Sequence, residues 1–130
     1  MVSLEQAGTL AAAMPEATEG SHFGNRTWFV GKKSFAWERP FSKADLKRFG
    51  DTTPPSGPII AVRVADLMEK EAILGVSHKG VFTISHFDGY AALLIQLNTV
   101  SKKVLQELIV DAWLSAAPKA LAKAYLANEK

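Results

Sequence analysis

The chain has 130 residues, 48% of them hydrophobic and 22% charged, with no cysteine and a formal net charge of +2. That length suits one domain, expected over residues 1–130, with enough apolar side chains for a core. Without cysteine there are no disulfides, thiol nucleophiles or thiolate metal sites; no apolar run approaches the ~18 residues of a membrane span, and a charge this small names no partner.

The first twenty residues, MVSLEQAGTLAAAMPEATEG, lack a basic segment and include Glu5. They fit a secretory signal poorly, so a cytoplasmic protein that does not engage a membrane is expected. Ser3 with Gln6 reads as a capping box. Leu4, Ala7, Leu10, Ala11 and Met14 then recur at helical spacing until Pro15. TWFV (27–30) and KSFAW (33–37) surround Gly31-Lys32, which predicts a β-hairpin. With that turn, Arg26, Trp28, Val30, Lys33, Phe35 and Trp37 share one face. The expected arrangement packs Trp28, Phe35 and Trp37 in the core while Arg26 and Lys33 reach outward. Stacking of nucleic-acid bases on the same rings is the other use of such a face.

Ser42 to Phe49 suits a short basic helix ended by Gly50. Pro54, Pro55 and Pro58 mark a connection, and IIAVRV (59–64) a strand. Asp66 with Glu69 opens a helix expected to run to about Leu74, with Gly75 at its C-cap. VFTISHF (81–87) and YAALLIQL (90–97) flank Asp88-Gly89, a strong hairpin signal. A two-residue turn there pairs Phe87 with Tyr90, His86 with Ala91, Ile84 with Leu93 and Phe82 with Ile95. Ser101 caps a long helix with Val104, Leu105, Leu108 and Ala112 as its stripe, interrupted by Pro118 before Leu121 and Tyr125. The order predicts an antiparallel sheet with helices packed on it, an α+β fold.

The segment HFDGY (86–90) has the composition of a reactive site, but its spacing argues otherwise. His-x-Asp supplies two metal ligands where zinc takes three or four, and His22 and His78 are expected in loops, without ligand spacing to His86. There is no GxSxG elbow and no Gly-rich phosphate loop, and Ser85 points away from His86. Glu69 and Glu71 cannot share a helix face. The expectation is a protein with no metal, no cofactor and no catalytic constellation. His86 reads as a histidine at the edge of the core, bonded to backbone or water; a part in small-ligand binding, with Tyr90, is its other role.

The positive charge is local. Residues 26–50 hold Arg26, Lys32, Lys33, Arg39, Lys43, Lys47 and Arg48 against Glu38 and Asp45, a net +5. Lysines at a hairpin tip and on a short helix are expected to be exposed, and their clustering points toward nucleic acid.

The ordered set LAAAMPEATEGSHFG, TWFVGKKSFAWERP, PIIAVRVADLMEKEAIL, VFTISHFDGYAALLIQL and ELIVDAWLSAAPKALAKAYL resembles the MmcQ/YjbR family, from about Leu10 to Tyr125. The resemblance implies a compact fold of the CyaY-like or secretion-chaperone-like kind, approximately α-β-β-β-α-β-β-α. It also implies DNA binding by a double wing of hairpins, and no catalytic residues. Many relatives have an Asn-Lys-x-His-Trp type stretch where this chain has His86 to Tyr90, so a basic second tip is missing and Asp88 would repel phosphate. The resemblance and the local charge together lead to the expectation of a small non-enzymatic DNA-binding protein. Its phosphate contacts would come from Arg26, Lys32, Lys33, Lys43, Lys47 and Arg48, with little sequence readout. The alternative is a protein- or small-ligand-binding module that uses the sheet face or the HFDGY segment and does not bind DNA.

Overall fold

The structure, a computed structural model, describes residues 2–128. Helix α1 (Leu4–Ala12) begins at the expected capping box: Gln6 N–H donates to Ser3 Oγ at 3.1 Å and Ser3 N–H to Gln6 Oε1 at 2.9 Å. Strands β1 (Ala17–His22), β2 (Asn25–Val30) and β3 (Lys33–Glu38) follow, then α2 (Lys43–Phe49), β4 (Ile59–Arg63), α3 (Leu67–Val76), β5 (Val81–Phe82) and β6 (Ala92–Gln96). Two helices close the chain, α4 (Lys102–Ala116) and α5 (Lys119–Asn128), broken at Pro118. The sheet order is β1-β2-β3-β4-β6-β5, with antiparallel neighbours throughout. This is the α+β plan expected from the sequence.

Alternation along the strands gives the sheet two distinct faces. On one, α1, α3, α4 and α5 pack over Trp28, Val30, Phe35, Ala36, Ile60, Val62, Leu93 and Ile95. The stripe predicted for α4 is part of this core, joined by Ile109, Trp113 and Ala116. On the other face Ile59, Ala61, Ala92 and Leu94 form a smaller apolar patch, covered by Phe87 and by the partly buried Trp37, Phe41, Phe82 and Ile84. Among the described residues no helix lies flat on the first strands there, and that leaves room for a site.

Four local expectations need correction. The polar run Ala17–His22, which shows no apolar alternation, forms edge strand β1, so His22 ends a strand and is not in a loop. Its hairpin with β2 turns on Phe23 (φ 54°) and Gly24 (φ 79°). Two consecutive positive φ angles give the twist that two-residue hairpins favour. Helix α3 runs through Gly75 to Val76 and is capped by Ser77 in the left-handed region, because its last turn still covers the core with Ile73 and Leu74.

In the β2–β3 hairpin, Val30 pairs with Lys33 and Phe29 with Ser34, whereas Trp28 pairs with Ala36 and Thr27 with Trp37. Phe35 is therefore an extra residue, a β-bulge. Phe35 and Ala36 both enter the helix-side core, and Trp37 is thrown onto the opposite face, away from Trp28 and Phe35.

The Asp88-Gly89 hairpin does not form. Strand β5 ends at Phe82, which pairs with Leu94 and not with Ile95. The chain then leaves the sheet, makes a 3-10 turn at Ser85–Phe87 and rejoins at Ala92. Asp88 (φ −60°, ψ 130°) and Gly89 (φ 75°) adopt a type II turn, closed by Tyr90 N–H donating to Phe87 C=O at 3.0 Å. That turn splays flanking strands where a type I′ turn would hold them in register. His86 consequently shares no strand face with Phe82, Ile84, Leu93 or Ile95. It is exposed, while Phe87 is buried.

Candidate functional site

The bulge at Phe35 and the collapsed hairpin at 83–91 together shape a concavity of about 800 Å³ on the sheet face opposite α1, α3, α4 and α5. Asn25 and Thr27 of β2, Ser34 and Trp37 of β3, and Arg63 of β4 form its floor. The linker Arg39–Ser42 makes one wall, and His86, Phe87 and Tyr90 another. His22 and Phe23, at the β1–β2 turn, make the rim.

Each wall is fixed by a local cause. Ser42 N-caps α2 by accepting from Asp45 N–H at 3.1 Å, and Asp45 Oδ2 accepts from Ser42 N–H at 2.9 Å. The Asp45 side chain is only 1% exposed and also binds Arg39 at 2.8 Å and Arg48 at 3.1 Å. Burial works against its charged form, but the hydrogen bonds from Arg39 and Ser42 outweigh it and hold the carboxyl below its usual range. This network pins the linker against the sheet. The opposite wall is held by Lys70 of α3, whose Nζ donates to Phe87 C=O at 2.6 Å and to Tyr90 C=O at 2.8 Å. Burial lowers the Lys70 pKa, and the nearby Asp88 works in the other direction. Neither Asp45 nor Lys70 stands out in the sequence, where one adds a charge to a basic stretch and the other sits in the run MEKEA.

The aromatic groups meet at the mouth. Tyr90, 41% exposed, lies 6.3 Å from Trp37 and edge-on to Phe87 at 5.4 Å. Phe23 is 91% exposed and stacked on His22, with ring centroids 4.3 Å apart. A fully exposed phenylalanine held at positive φ is strained, and such strain collects at binding sites. Arg63 donates from Nε to Ser34 C=O at 2.8 Å.

Of the residues singled out from the sequence, His86 and Tyr90 come together in this pocket. The basic residues do not gather into one patch. Arg26 is folded over the Trp28 ring at 5.3 Å and bound to Glu5 at 2.8 Å and Glu19 at 3.0 Å, so its charge is already paired. Arg48 is paired with Asp45. Lys32, Lys33, Lys43 and Lys47 are exposed and without an acidic partner among the described residues. They stand in two groups: Lys33 opens β3, and α2 begins beyond its far end at Glu38. A strand of that length spans roughly 17 Å. Among the described residues no set of three or more His, Asp or Glu side chains is placed to hold a metal ion, and no helix is long and apolar enough to cross a membrane.

Comparison with known proteins places this geometry in a family. The YjbR family profile matches residues 12–115. The chain belongs to the YjbR family. An uncharacterized protein of Mycobacterium tuberculosis (strain ATCC 25618 / H37Rv) is 48% identical over 104 residues, covering 78% of this YjbR chain and 80% of the relative. An uncharacterized protein of Mycobacterium bovis matches to the same extent. A solved structure from Pseudomonas syringae superposes with a TM-score of 0.64 at 13% identity, covering 85% of this chain and 96% of that one. A Deinococcus radiodurans protein, DR2400, superposes at 0.61 with 15% identity, covering 95% and 88%. At such identities the two structures speak for the YjbR fold alone.

Proposed function

We propose that this YjbR-family protein is a small-ligand-binding module whose site is the concave open face of the sheet. The observation that carries the reading is the pocket itself. At about 800 Å³ it falls within the ~300–1,000 Å³ of small-molecule sites. It combines aromatic surface with a few convergent polar groups, the usual make-up of such sites. No nucleophile–base pair lines it, so the reading assigns binding and no chemical step.

The test is a fragment screen of the full chain by 1H–15N NMR. Compounds are expected whose shift changes centre on the Trp37 indole N–H, Arg63 and Tyr90. A diverse library in which no compound moves those resonances would overturn the reading.

A second reading, binding of duplex DNA through its phosphates, is favoured by the exposed Lys32, Lys33, Lys43 and Lys47. Arg26 and Arg48 contribute little to it because their charges are already matched. Anisotropy of labelled duplex against salt tests this version. Four contacts give a slope of log K on log salt of about −3.6, and six about −5.4. No binding at low salt, or binding unchanged in Lys32→Glu/Lys33→Glu, removes it.

A further inference from the structure

The chain has four arginines. Three have carboxylate partners: Arg26 with Glu5 and Glu19, and Arg39 and Arg48 with Asp45. Arg63 has none among the described residues, although it is half-buried in the floor of the pocket. Its hydrogen bond from Nε to Ser34 C=O fixes the plane of the guanidinium, and neither terminal nitrogen has a hydrogen-bond partner among the described residues. A half-buried guanidinium with no counter-charge is a group that an anion can complete. A guanidinium pinned by Nε is pre-organised to take a carboxylate or phosphate through two parallel hydrogen bonds.

The geometry also says what should accompany the anion. Trp37 pairs with Ala61 across β3 and β4, and Arg63 lies two residues beyond Ala61 on the same face. Diagonal neighbours of this kind stand about 7–8 Å apart, the reach of one ring and its substituent. Tyr90 flanks Trp37 from the opposite wall. Glu38, the acid at the pocket edge, forms no ion pair with Arg63 and accepts from Arg26 N–H at 3.3 Å.

We propose that the pocket binds a flat aromatic ring bearing a carboxylate or phosphate, with the ring against Trp37 and Tyr90 and the anionic group on Arg63. This rests on the ligand-binding reading above and narrows it to one chemical class.

Matched probes test the class by NMR titration of the intact chain. Indole-3-carboxylate is compared with indole, and adenosine 5′-monophosphate with adenosine. At least one charged member should bind about tenfold or more tightly than its neutral partner, the scale of a charge-assisted pair of hydrogen bonds. Its shift changes should centre on Trp37, Arg63 and Tyr90. Which pair responds identifies the anion as carboxylate or phosphate. Arg63→Gln should erase the gap between charged and neutral rings; the wild-type comparison stands even if that variant folds poorly.

If charged and neutral rings bind the pocket equally, the anionic class is wrong and the ligand-binding reading survives. Charged rings that shift the Lys32–Lys33 turn in place of the pocket also overturn the proposal. So does the absence of any pocket response from all four probes, and the fragment screen then decides the broader reading separately.

Discussion

Trp28 and Trp37 lie on adjacent strands of one sheet and have opposite surroundings. Trp28 is sealed between β2, α1 and the helix-side core, with Arg26 over its ring. Trp37, one pairing step along, lies half-covered in a concavity beside Tyr90. The helix side is held by apolar packing, which sets stability and tolerates few changes of volume. The open side is held by a few polar anchors, Asp45 and Lys70, which fix loops around a space left unfilled. Stability and the proposed recognition are thus divided between faces, and substitutions should separate them.

The largest effect is expected for Trp28→Ala, about 3–5 kcal/mol of lost stability in urea unfolding, with Trp37→Ala costing about 2 kcal/mol in keeping with its partial burial. Equal losses at the two positions would break the distinction.

Next is Asp45→Asn, which leaves Arg39 and Arg48 without their buried counter-charge at a cost of about 3 kcal/mol near neutral pH. The folded-state pKa of Asp45 lies below its unfolded value of about 3.9. Its contribution is therefore complete above about pH 5 and is lost as pH falls through the folded value. Between pH 5 and 3 the wild type should lose more stability than Asp45→Asn; parallel curves would contradict the assignment.

Lys70→Met, which leaves two loop carbonyls unpaired, should cost about 2 kcal/mol. Hydrogen exchange should quicken at Tyr90 and Ala92 and stay unchanged in α4. The smallest effect should be a gain: Phe23→Asn relieves a strained left-handed residue and should raise stability by about 1 kcal/mol. If Phe23 serves the rim, the same change weakens ligand binding, which would sharpen the division of labour.

Helical periodicity and caps were readable because they are local: Ser3, Asp66 and Ser101 all cap as their spacing implies. β1 was invisible, since an exposed edge strand needs no apolar alternation and ATEGSH has none. The Asp88-Gly89 hairpin failed because a dipeptide does not choose between type I′ and type II; Phe87 turning into the open-side cluster and Lys70 holding the carbonyls decide it. His86 and Tyr90 were picked out by composition and do reach the pocket. Arg63, Trp37 and Lys70 needed the three-dimensional register, because Arg63 reads as one polar position in IIAVRV.

The extra residue at Phe35 acts as a parity switch. Side chains along a strand obey an odd–even rule, so one inserted position inverts every assignment after it. A relative with a tryptophan at the aligned position but without the insertion would bury that ring beneath its helices and present an empty floor. When YjbR sequences are aligned to ask which members share this concavity, a single-residue gap near Phe35 therefore outweighs the identity of any column beside it.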